Sequence, residues 1–257
     1  MNGRKLLGLL AILFALKLAY CAADAPAVPQ TNTVLLLGEC SPKWFKLPAK
    51  VSQELKALGI ETAWRNTLRG ITPEYLRQFN VVVLYYNDIA PKPNDEIKQV
   101  LSHLRAYSQE GGGLLIFKDL YIAQGMSYWQ ELLPPLGTQI LNEQIIESDP
   151  SNVWRTRFAS PGNAGWSFGW TDVIEKHPAT EGVEGLAYPL ERYEPGEPGA
   201  ITFKTDANWK ILVRTKPTAA SFLPDPAANA RGKVTGPGTY PSSVPLLAVR
   251  DAAFAII

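Results

Sequence analysis

The residues able to do chemistry fall in four short clusters. Glu39-Cys40 sets a carboxylate beside a thiol, which could act as base and nucleophile. Asn87-Asp88 and Lys118-Asp119 each set a carboxylate beside a side chain that can hydrogen-bond a polar ligand. His177-Pro178-Ala179-Thr180-Glu181-Gly182 holds one of the two histidines of the chain, a residue type whose ordinary pKa suits acid and base work near neutrality. Each cluster also has a plain structural reading. Neighbours on an extended segment point to opposite faces and a lone cysteine is most often a small buried hydrophobe, so Glu39-Cys40 reads as structural. A Lys-Asp pair at a strand end can be a solvated terminus with an ion pair of small value. A His before Pro can fix a turn through a ring nitrogen bonded to a backbone carbonyl, and His103 falls on the charged side of a helix. A metal centre needs three or more convergent ligands. His177 with Glu191 or Asp119 is conceivable, but no His-x-His or His-Glu-x-x-His spacing supports it, so neither a metal nor a cofactor is expected. The aromatics Trp154, Trp166, Phe168 and Trp170, set among Gly, Ser and Asn, would either stack on sugar rings or cover the sheet where helices are missing.

These clusters are placed by the elements around them. Thr33 to Leu37 and Val81 to Tyr86 are continuous apolar runs, and Leu114 to Phe117 is a third, which predicts strands covered on both faces. Between them, Val51, Leu55 and Leu58 fall at helical spacing before Gly59, and Ile60 to Trp64 resumes as a strand. Thr72-Pro73 reads as an N-cap with a first-turn proline. A longer helix from about Asn94 carries Ile97, Val100, Leu101, Leu104 and Tyr107 on one stripe and ends at Gly111 to Gly113. The alternation β-α-β-α-β-α-β demands a parallel sheet with helices on both faces. Glu39, Asn87-Asp88 and Lys118-Asp119 then all stand at the carboxyl ends of strands, where open α/β sheets bind ligands. Beyond Tyr121 a helix over Ser127 to Leu133, an extended Gln139 to Ile146, and strands at Ile201 to Lys204, Trp209 to Arg214 and Pro245 to Arg250 are expected. Residues 150 to 170 and Lys216 to Val244 read as loops from their Gly, Ser, Asn and Pro content.

Composition narrows the function. The 257 residues hold 25 Lys and Arg against 24 Asp and Glu, and 46% are hydrophobic. So small a net charge leaves no basic field for phosphates, which argues against nucleic acid as a partner. Residues 1 to 25 have a basic start at Arg4 and Lys5, an apolar stretch from Leu6 to Leu16 and small residues around Cys21 to Ala25, the tripartite layout of a secretory signal. The apolar stretch is short for a hydrocarbon core of about 30 Å. A lipid anchor on Cys21 is the weaker reading, because Tyr20 is bulky where that signal wants a small residue. Removal of the segment takes away Arg4, Lys5, Lys17 and Asp24, so the formal +1 becomes −1. It also leaves Cys40 unable to form an internal disulfide, so the fold rests on its core.

The runs VLLLGE, KALGIETAW, VVVLYYND, YSQEGGGLLIF and HPATEGV together resemble the class I glutamine amidotransferase-like superfamily, nearest its ThuA-like (trehalose-utilisation-like) domains, over roughly residues 33 to 250. The resemblance implies a flavodoxin-like, three-layer α/β/α fold with a mostly parallel central sheet. In catalytic members a nucleophilic Cys follows the strand that here is Leu114 to Phe117. Phe117, Lys118, Asp119 and Leu120 stand there, so nothing is available to be acylated. Relatives also follow the His-Pro motif with an Asp-Glu pair, which Glu191-Arg192-Tyr193-Glu194 lacks, and continue past a strand like PLLAVR through a Gly-Lys-Gly-Arg turn. This chain runs from Asp251 to Ile257 without that turn, so a truncated chain or a shortened final hairpin is expected.

The expected organisation is a signal over residues 1–25, a linker over 26–32 and a single ThuA-like domain over 33–257. The expected function is secreted or periplasmic binding of a small-molecule or carbohydrate ligand, with no membrane contact in the mature form. Glu39, Asn87, Asp88, Lys118, Asp119 and His177 would supply the hydrogen bonds. The balance falls against catalysis. Two alternatives stay open: a sugar-acting hydrolase or isomerase using His177 with Glu39 or Asp119, and a structural or interaction module.

Overall fold

The computed structural model describes residues 32–38, 49–86, 93–118, 126–156, 166–191, 201–225, 234–250 and 254–256. The expected βα alternation appears as β1 (Asn32–Leu37), α1 (Ala49–Ala57), β2 (Ile60–Arg65), α2 (Pro73–Leu76), β3 (Val81–Tyr86), α3 (Asp95–Gln109) and β4 (Gly113–Lys118). α4 (Met126–Leu132) follows, and then strands predominate: β5 (Thr138–Glu147), β6 (Val153–Thr156), β7 (Trp166–Thr171), β8 (Leu186–Glu191), β9 (Ile201–Thr205), β10 (Trp209–Arg214), β11 (Ala219–Pro224), β12 (Val234–Pro237), β13 (Pro245–Arg250) and β14 (Phe254–Ile256).

Three sheets result, in the orders β10-β13-β14-β4-β3-β1-β2, β12-β11-β5-β9 and β6-β7-β8. In the first, β14, β4, β3, β1 and β2 run parallel, and β13 runs antiparallel to both of its neighbours, β14 and β10. This is the flavodoxin-like, mostly parallel sheet. β10 is therefore parallel to β4 and shares its carboxyl edge.

Alternation along the strands divides the core in two. Leu35, Leu37, Val82, Leu84, Leu114 and Ile116 face α2, α3 and α4, packing on Leu76, Leu101, Leu104, Trp129 and Leu132. Val34, Leu36, Val83, Leu115, Leu247 and Val249 face the other way. On that second side α1 contributes Leu55, and the remaining cover comes from strands, through Ile145, Tyr188 and Ala219. The second outer layer is thus part helix and part antiparallel strand.

Local signals explain the helix ends. Asn94 Oδ1 accepts the Ile97 N–H at 2.9 Å and Thr72 Oγ1 accepts that of Tyr75 at 3.2 Å. Asn94→Ala is expected to cost about 1 kcal/mol, read as a lower urea midpoint at unchanged slope. Gly59, at φ 72°, takes the left-handed position after α1.

Two segments expected to be loops are strands. Residues 150 to 170 contain β6 and β7, paired Trp154 to Phe168, and the 216–244 stretch contains β11 and β12. Their composition is loop-like because β12 (VTGP) is an exposed edge strand, where Pro and Gly are tolerated. Leu58, expected on the buried stripe of α1, lies past its end and is exposed.

Candidate functional site

At the carboxyl edge of the parallel sheet Lys118 closes β4 opposite Tyr86, the last residue of β3. Beyond the end of β1, the Gly38 N–H bonds the carbonyl of Arg65, which closes β2. Glu39, Cys40, Asn87, Asp88, Asp119 and Leu120 follow these strand ends and lie outside the described residues. Of Lys118 the structure describes the backbone alone.

His177 is not brought to that edge beside Lys118. Ile174 bridges to Val213 antiparallel, Arg214 N–H bonds the Val173 carbonyl and Glu175 N–H bonds that of Leu212. The 173–175 segment therefore flanks β10 on the outside of the sheet, and runs away from the carboxyl edge. Four strand spacings, about 19 Å, separate its line from that of β4. The chain then turns at Pro178–Thr180, with His177 as its cap. His177 Nδ1 accepts the Ala179 N–H at 3.0 Å. A ring nitrogen does fix this turn, as acceptor from an amide rather than donor to a carbonyl, so a neutral ring carries its proton on Nε2. Thr180 Oγ1 lies 2.6 Å from the Glu175 carbonyl and 3.1 Å from that of His177, and Gly182 at φ 74° reverses the chain.

This connection between β7 and β8 forms an open groove of about 660 Å³. Its charged lining is Asp172, Glu175, Glu181 and Glu184 against Lys176, with His177 among them. Asp172 lies 3.5 Å from Lys216 Nζ. Among the described residues no three His, Cys, Asp or Glu side chains converge to hold a metal ion.

The β6-β7-β8 sheet leads into the groove. Its inner face carries Ser167, Thr171 and Tyr188, all buried. On its outer face Trp154 stands opposite Phe168, ring centroids 5.5 Å apart, with Trp170 two residues further along β7. Trp154 is 39% exposed, and Phe168 and Trp170 are half-buried. The indole of Trp170 lies over Gly185, where a Cβ would fall inside the ring. Gly185 follows Glu184, the last residue lining the groove, so Trp170 packs on the chain where it leaves the groove, while no aromatic side chain lines the groove itself. Trp166 pairs with Thr156 at the far end of the same strand.

On the inner face the Tyr188 hydroxyl faces the Glu147 carboxylate of β5 without a hydrogen bond of ordinary geometry. Burial, and then the Glu147 charge, push its pKa well above the usual tyrosine range. A neutral phenol wedged between two sheets is a fixed support for the aromatic face outside.

Asp172, Glu175, Glu181 and Glu184 were not singled out from the sequence. The signal was present: four carboxylates within thirteen residues around His177, followed by a strand.

No protein-family model and no curated protein matches the chain. Among solved structures it is similar to a protein from Bacteroides uniformis ATCC 8492 described as ThuA-like, at 12% identity and a TM-score of 0.47, over 91% of this chain and 82% of that one. It is also similar to a glutamine amidotransferase from Thermotoga maritima, at 12% identity and a TM-score of 0.47, over 89% of this chain and 75% of that one.

Proposed function

We propose that this chain is a secreted, ThuA-like carbohydrate-binding domain without amidotransferase activity. The observation that carries the reading is the aromatic face of Trp154, Phe168 and Trp170 on β6 and β7, with the polar His177 groove in the connection that follows β7. A pyranose ring presents C–H bonds on its faces and hydroxyls around its rim. Indole and phenyl faces take the first, while carboxylates and an Nε2–H imidazole take the second. Secretion rests on the basic, apolar and small-residue order of residues 1 to 25. The lack of amidotransferase activity rests on Lys118, Asp119 and Leu120 at the end of β4, none of which can be acylated as a thiol is. Glu39, Asn87, Asp88, Lys118 and Asp119, which follow or close β1, β3 and β4 in the sequence, would supply further hydrogen bonds to the ligand.

Titration of the purified chain with oligosaccharides, followed by tryptophan fluorescence and calorimetry, tests it. Saturable binding is expected, and Trp170→Ala or Trp154→Ala should weaken it about tenfold, or about 1.4 kcal/mol. A structural module predicts no binding to any sugar. The hydrolase or isomerase alternative gains from the company of Glu175, Glu181 and Glu184 around His177. It requires that altered sugars accumulate in the same mixtures and that His177→Asn stops them.

A further inference from the structure

We infer that the chain self-associates through the outer edge of β2, as a two-fold dimer in which β2 pairs antiparallel with β2 of a second copy. β2 ends the seven-stranded sheet, and no described strand lies beyond it. The opposite end of that sheet is covered, because residues 173–175 flank β10. β2 lacks the usual blocks to edge pairing: IETAWR contains no proline, and its register against β1 is unbroken from Ile60 to Arg65. The Arg65 carbonyl accepts the Gly38 N–H, so residues 61, 63 and 65 direct their backbone groups at β1 and the alternate residues, Thr62 among them, direct theirs outward. An antiparallel partner must match outward residues with outward ones, which leaves the registers centred on a residue of β2. Charge chooses among them. Centred on Ala63, the pairing sets Glu61 of each copy opposite Arg65 of the other. Centred on Glu61 or Arg65 it sets like charges together, and centred on Thr62 or Trp64 it forms no ion pair. Glu61 is exposed, and neither it nor Arg65 pairs with an opposite charge among the described residues. The Arg65 guanidinium is held at the strand end: Nη2 donates to the Arg69 carbonyl at 2.7 Å and Cζ lies 5.2 Å from the Tyr75 ring centroid. Apolar surface accompanies the charges, since Leu58 and Trp64, exposed at 43% and 38%, stand just before β2 and on it. The contact is remote from the His177 turn, which follows the segment beside β10 at the other end of the sheet, so it rests on no reading of the ligand.

Sedimentation equilibrium of the full chain between about 1 and 100 μM tests it, with a monomer–dimer equilibrium expected in that range. Thr62→Pro removes an outward N–H at a position where an edge strand tolerates proline, so it should stay folded by circular dichroism and be monomeric. Glu61→Arg and Arg65→Glu should each raise the dissociation constant at least about tenfold, and the two together should restore it. Register is read by Ala63→Cys, with Cys21→Ser and Cys40→Ser in the background. Across the axis residue 63 meets its own copy as a non-hydrogen-bonded pair, with Cα atoms about 4.5 Å apart, within reach of a disulfide. On mild oxidation Ala63→Cys should give a covalent dimer that Thr62→Cys in the same background does not. A monomer at every concentration overturns the proposal. So does a dimer that Thr62→Pro leaves intact or that Ala63→Cys fails to trap.

Discussion

Glu143→Ala is expected to destabilise the protein by about 3 kcal/mol, lowering Tm by about 6 to 12 °C. Glu143 sits on β5 with 6% of its surface exposed, so its charge must be met inside the protein. Ser221 Oγ donates to Oε2 at 2.6 Å, the Thr239 N–H donates to the same oxygen at 2.9 Å, and Thr239 Oγ1 donates to Oε1 at 2.5 Å. Ser221 Oγ in turn accepts the Tyr240 N–H at 2.9 Å. One carboxylate therefore ties β5 to β11 and to the turn that leads into β13. Gly238 lets that turn come close: a Cβ there would meet both Glu143 and Ser221 within 2.6 Å. Alanine at 143 strands the Thr239 N–H and both hydroxyls and opens a cavity. Glutamine keeps the volume but turns an amide toward donors, so it should cost somewhat less.

The same residue gives stability a direction in pH. Burial pushes the Glu143 pKa up, but the Ser221 and Thr239 hydroxyls and the Thr239 N–H outweigh it, and the net shift is downward. A carboxylate whose pKa is lower folded than unfolded takes up protons more readily in the unfolded chain. Its contribution is complete above the unfolded value, about 4.3, and is lost as pH falls through the folded one. Urea unfolding of the wild type and Glu143→Gln should differ most at neutral pH and converge in acid. A gap that widened in acid would contradict this wiring.

The parallel half was legible because its information is local. VLLL, VVVLYY and LLIF are apolar runs bounded by turn residues, and Asn94 and Thr72 announce their helices within three residues. The antiparallel half was illegible because its logic is remote. Nothing near Glu143 marks it as buried: its partners stand 78 and 96 residues away. Trp154 and Phe168 looked like loop aromatics because they stand among Gly, Ser and Asn, and only the pairing of β6 with β7 makes them one face. His177 does fix its turn, though by accepting the Ala179 N–H rather than by bonding a carbonyl, and its place in the fold is set by the pairing of Ile174 with Val213, 39 residues away. Of the residues read as one polar rim, only His177 is placed with its side chain, and Glu39, Asn87, Asp88 and Asp119 lie outside the described residues.

The seam between the two halves supplies the other large effect. Gly169→Ala is expected to cost about 2 to 4 kcal/mol, because a Cβ on the inner face of β7 would fall inside the Tyr188 ring, which is 3% exposed and packed into the second core. The ring cannot swing away cheaply. Gly169 and Tyr188 are directly opposite on paired strands, and the hydroxyl end is buried against Glu147. Tyr188→Ala should cost about 3 to 5 kcal/mol by itself, as a large buried side chain lost to a cavity. If the clash is what makes Gly169 necessary, the double variant should be more stable than the sum of the two by at least about 1 kcal/mol. Strict additivity would mean that Gly169 is required for its backbone instead. The consequence reaches the proposed site, since Gly169 lies between Phe168 and Trp170 on β7 and any outward shift of that strand moves both rings. Gly169→Ala should therefore weaken sugar binding while the protein remains folded, and the double variant should recover part of it.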